Sequence, residues 1–166
     1  MSELLDPEAY RHLKAIAGRI SSSRRGLDTI QPTALLHEAW EKLARNDRQY
    51  NSREHFMATA AQAMRQILVD RARARFTSKR GGGAMQRTTL SGLSGDGAQA
   101  LDVLMLDEAL GMLEALDPQA ARIALLRTFS GMTVEETAET MGLSPRSVNR
   151  NWRFARAYLS DLMRKD

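Results

Sequence analysis

The sequence predicts an all-α protein built from two small helical domains joined by a flexible linker. Three observations carry that prediction. Ala, Leu, Arg and Glu dominate a chain of 166 residues that is only 5% aromatic, and these are good helix formers. The apolar residues recur at intervals of three and four, and no run alternates with the period of two that a half-buried strand needs. Six of the eleven glycines (Gly81, Gly82, Gly83, Gly92, Gly95 and Gly97) fall within Thr77–Gln99. That stretch has few large apolar side chains, so burial cannot offset the entropy of ordering it. The division read from it is an N-terminal domain over 1–76, a linker over 77–99 and a C-terminal domain over 100–166.

The prolines mark helix starts. Asp6-Pro7, Asp117-Pro118 and Ser144-Pro145 each set a capping residue before a proline at the first helical position. Gln31-Pro32 keeps the proline without the good cap. Tyr10, Leu13, Ile16, Ala17 and Ile20 then form one apolar stripe. Leu35, Leu36, Ala39, Trp40 and Leu43 form a second, and Phe56, Ala60, Met64, Ile67 and Leu68 a third. Beyond the linker come Leu104, Leu106, Leu110, Leu113 and Leu116, followed by Ile123, Leu125, Leu126 and Phe129. Three helices are expected before the linker and four after it, the last two forming a helix-turn-helix.

The charge is unevenly spread. With 24 basic and 20 acidic side chains the net charge is +4. Arg65, Arg71, Arg73, Arg75, Lys79, Arg80 and Arg87 crowd one segment against Asp70 alone. From Thr88 to Ala121 there is no Lys or Arg, but there are Asp96, Asp102, Asp107, Glu108, Glu114 and Asp117. Arg146, Arg150, Arg153, Arg156, Arg164 and Lys165 make the C-terminus basic again. Two basic segments around an acidic one point to two polyanion contacts; the plainer alternative is a pair of solvated Arg faces.

Several function classes are excluded. Without cysteine there is no disulfide scaffold, zinc finger, thiol nucleophile or thiolate-held iron–sulfur cluster. No apolar run approaches the roughly 18 residues of a membrane span. Met1–Pro7 lacks the basic region and apolar core of a secretory signal, so a cytoplasmic protein without membrane contact is expected. Gly81-Gly82-Gly83 is followed by no Gly-Lys-Ser/Thr and is no phosphate loop. His12, His37 and His55 lack metal-ligand spacing and read as surface or packing residues. No metal, cofactor or catalysis of its own is expected.

Thr133–Leu162 is the most informative stretch. Thr133 and Glu136 have the spacing of a capping box, and Gly142 supplies the left-handed residue that ends the short helix begun there. Leu143 is the turn residue, and Ser144-Pro145 opens the next helix. Ala138 is small where two helices cross, and Val148 fills the space beneath, the relative positions of a helix-turn-helix. Val148, Trp152, Ala155, Leu159 and Leu162 form the inner face of the second helix. Arg146, Ser147, Asn149, Arg150 and Arg153 form its outer face, with Arg and Asn available for guanine and adenine edges in the major groove. A helical hairpin with a merely basic surface is the alternative.

Leu126–Ala138 and Gly142–Val148 resemble the C-terminal domain of extracytoplasmic-function (ECF) sigma factors. The resemblance continues upstream in Gln31–Trp40 and Met64–Arg75, similar to the family's polymerase-docking and promoter-reading helices. It implies a bacterial factor that binds core RNA polymerase and directs promoter-specific transcription initiation. The N-terminal domain would meet the minus-ten element and the C-terminal domain the minus-thirty-five element. The linker would pass through the polymerase active-site region and RNA exit path. Leu35, Leu36, Glu38, Trp40 and Glu41 would dock on the clamp coiled coil of the β′ subunit. Gln62, Arg65, Gln66 and Arg73, with Asp70 beside them, would face promoter DNA. In the loop Asp47–Asn51, where the family holds a flipped base, Tyr50 would stack and Asn51 would offer its amide; the plainer role for Tyr50 is to pack that loop onto the core. Arg71, Arg75, Lys79 and Arg80 would attract phosphates generally.

One departure from the family pattern stands out. The docking helix of ECF sigma factors usually starts with several acidic residues, whereas Gln31-Pro32-Thr33-Ala34 has none. A phosphate on Thr33 would supply the missing charge at a helix N-terminus that favours it, so phosphorylation of Thr33 by a Ser/Thr kinase is one expectation; the alternative is that Glu38 and Glu41 suffice. A partner such as an anti-sigma factor, such a modification and synthesis level are the alternatives for control, and the sequence does not choose among them. The rival functions are a helix-turn-helix regulator that works without docking on polymerase, and a helical adaptor that binds only protein.

Overall fold

The computed structural model describes Pro7, Tyr10, Arg11, Lys14, residues 32–45, Tyr50, and residues 52–79 and 96–164. Among these residues the protein is all-helical, with six continuous helices. They are α1 (Pro32–Arg45), α2 (Arg53–Lys79), α3 (Asp96–Leu116), α4 (Pro118–Phe129), α5 (Val134–Met141) and α6 (Pro145–Leu162). The four helices expected after the glycine-rich stretch are all present. Of the first expected helix, Pro7, Tyr10, Arg11 and Lys14 are helical; Leu13, Ile16, Ala17 and Ile20 lie outside the described residues. Tyr10 is 43% exposed, yet its ring meets Trp40 edge-on at 5.8 Å.

The stretch expected as linker is shortened from both ends. Thr77–Lys79 continue α2, and Asp96–Gln99 begin α3. Glycine content outweighed the local helix preference of the Ala- and Arg-rich run in that expectation. The Thr77 hydroxyl donates to the Arg73 carbonyl at 2.9 Å, so this polar residue satisfies itself within the helix. Residues 80–95 lie outside the described residues.

One hydrophobic core runs through both halves of the sequence. Leu35, Leu36, Ala39 and Leu43 of α1 meet Phe56, Ala60, Met64, Ile67 and Leu68 of α2. Leu110 and Leu113 of α3, Ala124 and Leu126 of α4, and Ala155 and Leu159 of α6 belong to the same cluster. Leu35, Ala60, Met64, Leu113 and Leu126 are fully buried, and each large side chain among them contributes about 1.5–3 kcal/mol by leaving water. Helix α2 lies against α1, α3 and α4, and α3 reaches α6 as well. The second and third stripes of the sequence find their partners here, whereas one residue of the next does not. Leu116 is 61% exposed, because it is the last residue of α3, where the chain breaks for the next cap.

A smaller cluster sits under the helix-turn-helix. Ile123 of α4, Ala138 of α5 and Val148 of α6 are buried together, with Val134, Met141, Leu143 and Trp152 packed around them. Ala138 and Val148 thus hold the positions expected of them. Trp152 and Leu162, expected on the buried face of α6, are half-buried at its margin.

Candidate nucleic-acid interface

The helix-turn-helix is fixed by local hydrogen bonds before any packing is counted. The Thr133 amide donates to Glu136 Oε2 at 2.7 Å, and the Glu136 amide donates back to Thr133 Oγ1 at 3.1 Å. This reciprocal capping box satisfies two donors at the start of α5. Gly142 ends α5 with φ of 62°, and the Leu143 amide donates to the Ala138 carbonyl at 2.9 Å. Ser144 then caps α6, its hydroxyl accepting from the Ser147 amide at 3.1 Å. The last two bonds hold the turn from which α6 leaves.

Helix α6 presents Arg146, Asn149, Arg150 and Arg153 to solvent, while Ser147 is half-buried beside the cap. Val148, Ala155 and Leu159 anchor the opposite side. Two further arginines lie against Trp152. Arg127 of α4 donates to the Met132 carbonyl and lies 5.4 Å from the Trp152 ring centroid, with Arg156 at 5.8 Å. Cation–π contacts of this kind hold the indole from its own helix and from α4. The result is a capped, core-anchored helix with an exposed Arg/Asn face, the arrangement that major-groove reading requires. Sequence reasoning did not single out Phe154, which is 42% exposed on this helix and pairs with Tyr158 at 6.1 Å. Its four-residue step from Arg150 was the available signal.

The polar residues of α2 divide into two groups. Gln62 and Gln66 are exposed; Gln62 lines a cleft of about 450 Å³ shared with α3 and α4, and Gln66 donates to Asp70 at 2.9 Å. Asp70 lies 3.9 Å from Lys42 of α1. Arg65 is half-buried and Arg73 exposed, and both turn toward Asp107 of α3 at 2.8 and 3.9 Å. Arg71, expected to attract phosphate, is paired with Glu38 of α1. The side chain of Lys79, and Arg80, lie outside the described residues. Sequence spacing missed these ion pairs because they join different helices, Arg71–Glu38 across 33 positions and Arg65–Asp107 across 42; the opposed charge of the two segments was the available signal for the Asp107 pairs alone.

Two expectations for the N-terminal half need correction. Leu35 and Leu36 are 0% and 2% exposed, so they hold α1 in the core and cannot touch a partner. Tyr50 is 9% exposed. Its ring packs edge-on against Phe56 at 5.2 Å, and its hydroxyl donates to the Leu43 carbonyl at 3.3 Å. That is the packing role rather than a face open to a base. The apolar edge of Phe56 outcompetes solvent for the ring. Asn51 lies outside the described residues. Trp40 is half-buried, while Thr33 and Glu41 are exposed; Glu41 pairs with Arg45 at 3.3 Å.

Among the described residues no group of His, Asp or Glu could hold a metal ion, and no helix is long and apolar enough to cross a membrane. The fold defines an all-helical protein with a helix-turn-helix and an exposed Arg/Asn helix face. The family model for ECF sigma factors matches residues 2–165, and the chain belongs to that family. No curated protein and no solved structure matches it. Membership carries the family's general work, directing transcription initiation with RNA polymerase and binding DNA.

Proposed function

We propose that the chain acts in the cytoplasm, with 1–76 docking on core polymerase and meeting the minus-ten element, and 100–166 reading the minus-thirty-five element. The observation that carries this is the exposed Arg146, Asn149, Arg150 and Arg153 face on a capped and core-anchored α6. On α2, Gln62, Arg65, Gln66 and Arg73 would form the second DNA face. Docking on the β′ clamp coiled coil would fall to the exposed Glu41 and the half-buried Glu38 and Trp40 of α1, and to Thr33 when phosphorylated. An anti-sigma factor would bind by covering one of these surfaces. The test is transcription from a promoter library with core polymerase. Specific initiation that requires the chain supports the reading. Specific DNA binding with no polymerase dependence would replace it with a conventional regulator, and neither activity would leave a protein-binding adaptor.

A further inference from the structure

Phe154 departs from the other large apolar side chains of α6. It is 42% exposed, and none of the others stands so far into solvent. It belongs to neither hydrophobic cluster. Single exposed apolar residues are common on protein surfaces; the placement of this one is what distinguishes it. Residues four apart share one face of a helix, so Phe154 stands one turn beyond the exposed Arg150 and next to the exposed Arg153. Side chains on a helix lean toward its N-terminus, which carries the ring back toward Arg150. Tyr158, itself packed on the main core, backs the ring from the next turn at 6.1 Å, with the two planes tilted by 36°. Beside Arg and Asn side chains that can bond to guanine and adenine edges, Phe154 offers neither donor nor acceptor. The major-groove feature it can favour is the C5-methyl group of thymine. Cytosine presents a bare C5 and an amino group that would lose water against the ring.

We propose that Phe154 is a specificity-determining residue that reads the methyl group of one thymine in the major groove of the minus-thirty-five element. The proposal rests on the reading of α6 as the helix that enters that groove. Between Arg150 and Phe154 the helix advances about 6 Å, and successive bases lie about 3.4 Å apart along one strand. The thymine therefore falls within about two base pairs of the position that Arg150 contacts. A polar contact and an apolar one then come from adjacent turns of the same helix.

The test starts from promoter sites selected out of randomised duplex DNA by core polymerase carrying the full chain. Each thymine of the minus-thirty-five element is then replaced in turn by deoxyuridine, which removes the methyl group and leaves base pairing intact. Affinity is measured by competition against the unmodified site. For wild type, one replacement is expected to weaken binding about fourfold, the scale of one methyl group returned to water. Phe154→Ala is expected to bind the unmodified site about fourfold more weakly and to bind thymine and deoxyuridine equally at that position. Phe154→Leu, which keeps an apolar side chain, should retain part of the difference. The ratio is taken within one variant, so a general loss of folded protein cancels from it. A thymine dependence that survives in Phe154→Ala would overturn the proposal, and so would an element with no position sensitive to deoxyuridine. Selected sites with no thymine within about two base pairs of the Arg150-dependent position would overturn it as well. A loss of polymerase affinity in Phe154→Ala, with the thymine dependence intact, would set the ring against protein instead. Arg150→Ala tests the underlying reading separately. If it relaxes specificity while Phe154→Ala leaves the thymine dependence in place, the assignment of Phe154 alone is discarded. If Arg150→Ala binds the selected sites as wild type does and no thymine depends on Phe154, both are discarded.

Discussion

Tyr50 shows how one neighbour decides the role of a residue. Its hydroxyl and one ring edge are used inside the protein, so Tyr50→Ala should cost about 3–5 kcal/mol of stability, the range for truncating a buried aromatic. Tyr50→Phe should cost only about 1 kcal/mol, for one hydrogen bond. Denaturant unfolding followed by circular dichroism measures both; a near-neutral Tyr50→Ala would restore the stacking role. Sequence alone left the two roles open, because an aromatic in a polar loop reads alike in either, and only the placement of Phe56 separates them. The α6 face was more legible, since Arg146, Asn149, Arg150 and Arg153 fall opposite an apolar stripe with unbroken spacing. Arg150→Ala and Arg153→Ala are expected to weaken promoter binding by about 1–3 kcal/mol each if they read bases, with polymerase affinity unchanged. Relaxed specificity at one position marks base reading, while uniform loss across sequences marks a phosphate contact. Normal transcription from the cognate promoter by both variants would show that α6 docks in another orientation.

The helices themselves were legible wherever a local rule fixes an end. Asp117 accepts from the Ala120 amide at 2.9 Å, Ser144 caps α6 and Thr133 completes its box, all as their sequence patterns require. Thr133→Ala is expected to cost about 1 kcal/mol through the lost cap, and the comparison with Glu136→Ala tells whether both bonds of the box matter. A thermal midpoint unchanged in both variants would show α5 to be held by packing alone. Helix ends without such a signal were misjudged, as at Thr77–Lys79 and Asp96–Gln99, where composition was the only guide. Helix α1 has no acidic residue in its first turn and Lys42 and Arg45 in its last, so its N-terminus is open to negative charge. Phosphate on the exposed Thr33 adds about −1.5 to −2 charges there. Polymerase affinity should therefore rise on phosphorylation and, more weakly, in Thr33→Glu, and stay at the wild-type level in Thr33→Ala. Tight binding by unmodified wild type with no gain on phosphorylation would assign docking to Glu38 and Glu41.

At the scale of the whole molecule, the sequence shows two opposed charge segments but not that they meet. Contacts such as Arg65–Asp107 join residues 42 positions apart, and no periodicity within one helix can reveal them. The core has the same property. Leu110 and Leu113 follow the glycine-rich stretch yet pack with Met64 and Ile67, which precede it. The proposed division of labour between 1–76 and 100–166 would therefore start from surfaces that are buried against each other. It follows that the free chain should unfold as one cooperative unit. The chain has two tryptophans, Trp40 on α1 and Trp152 on α6, so Trp40→Phe and Trp152→Phe each leave one reporter. Leu113→Ala on α3, at a site with 0% exposure, should destabilise by about 2–5 kcal/mol. If the core is shared, both reporters record the same loss of stability in denaturant. A loss recorded by Trp152 alone, with the Trp40 transition unmoved, would show two halves that fold independently and touch without mutual support.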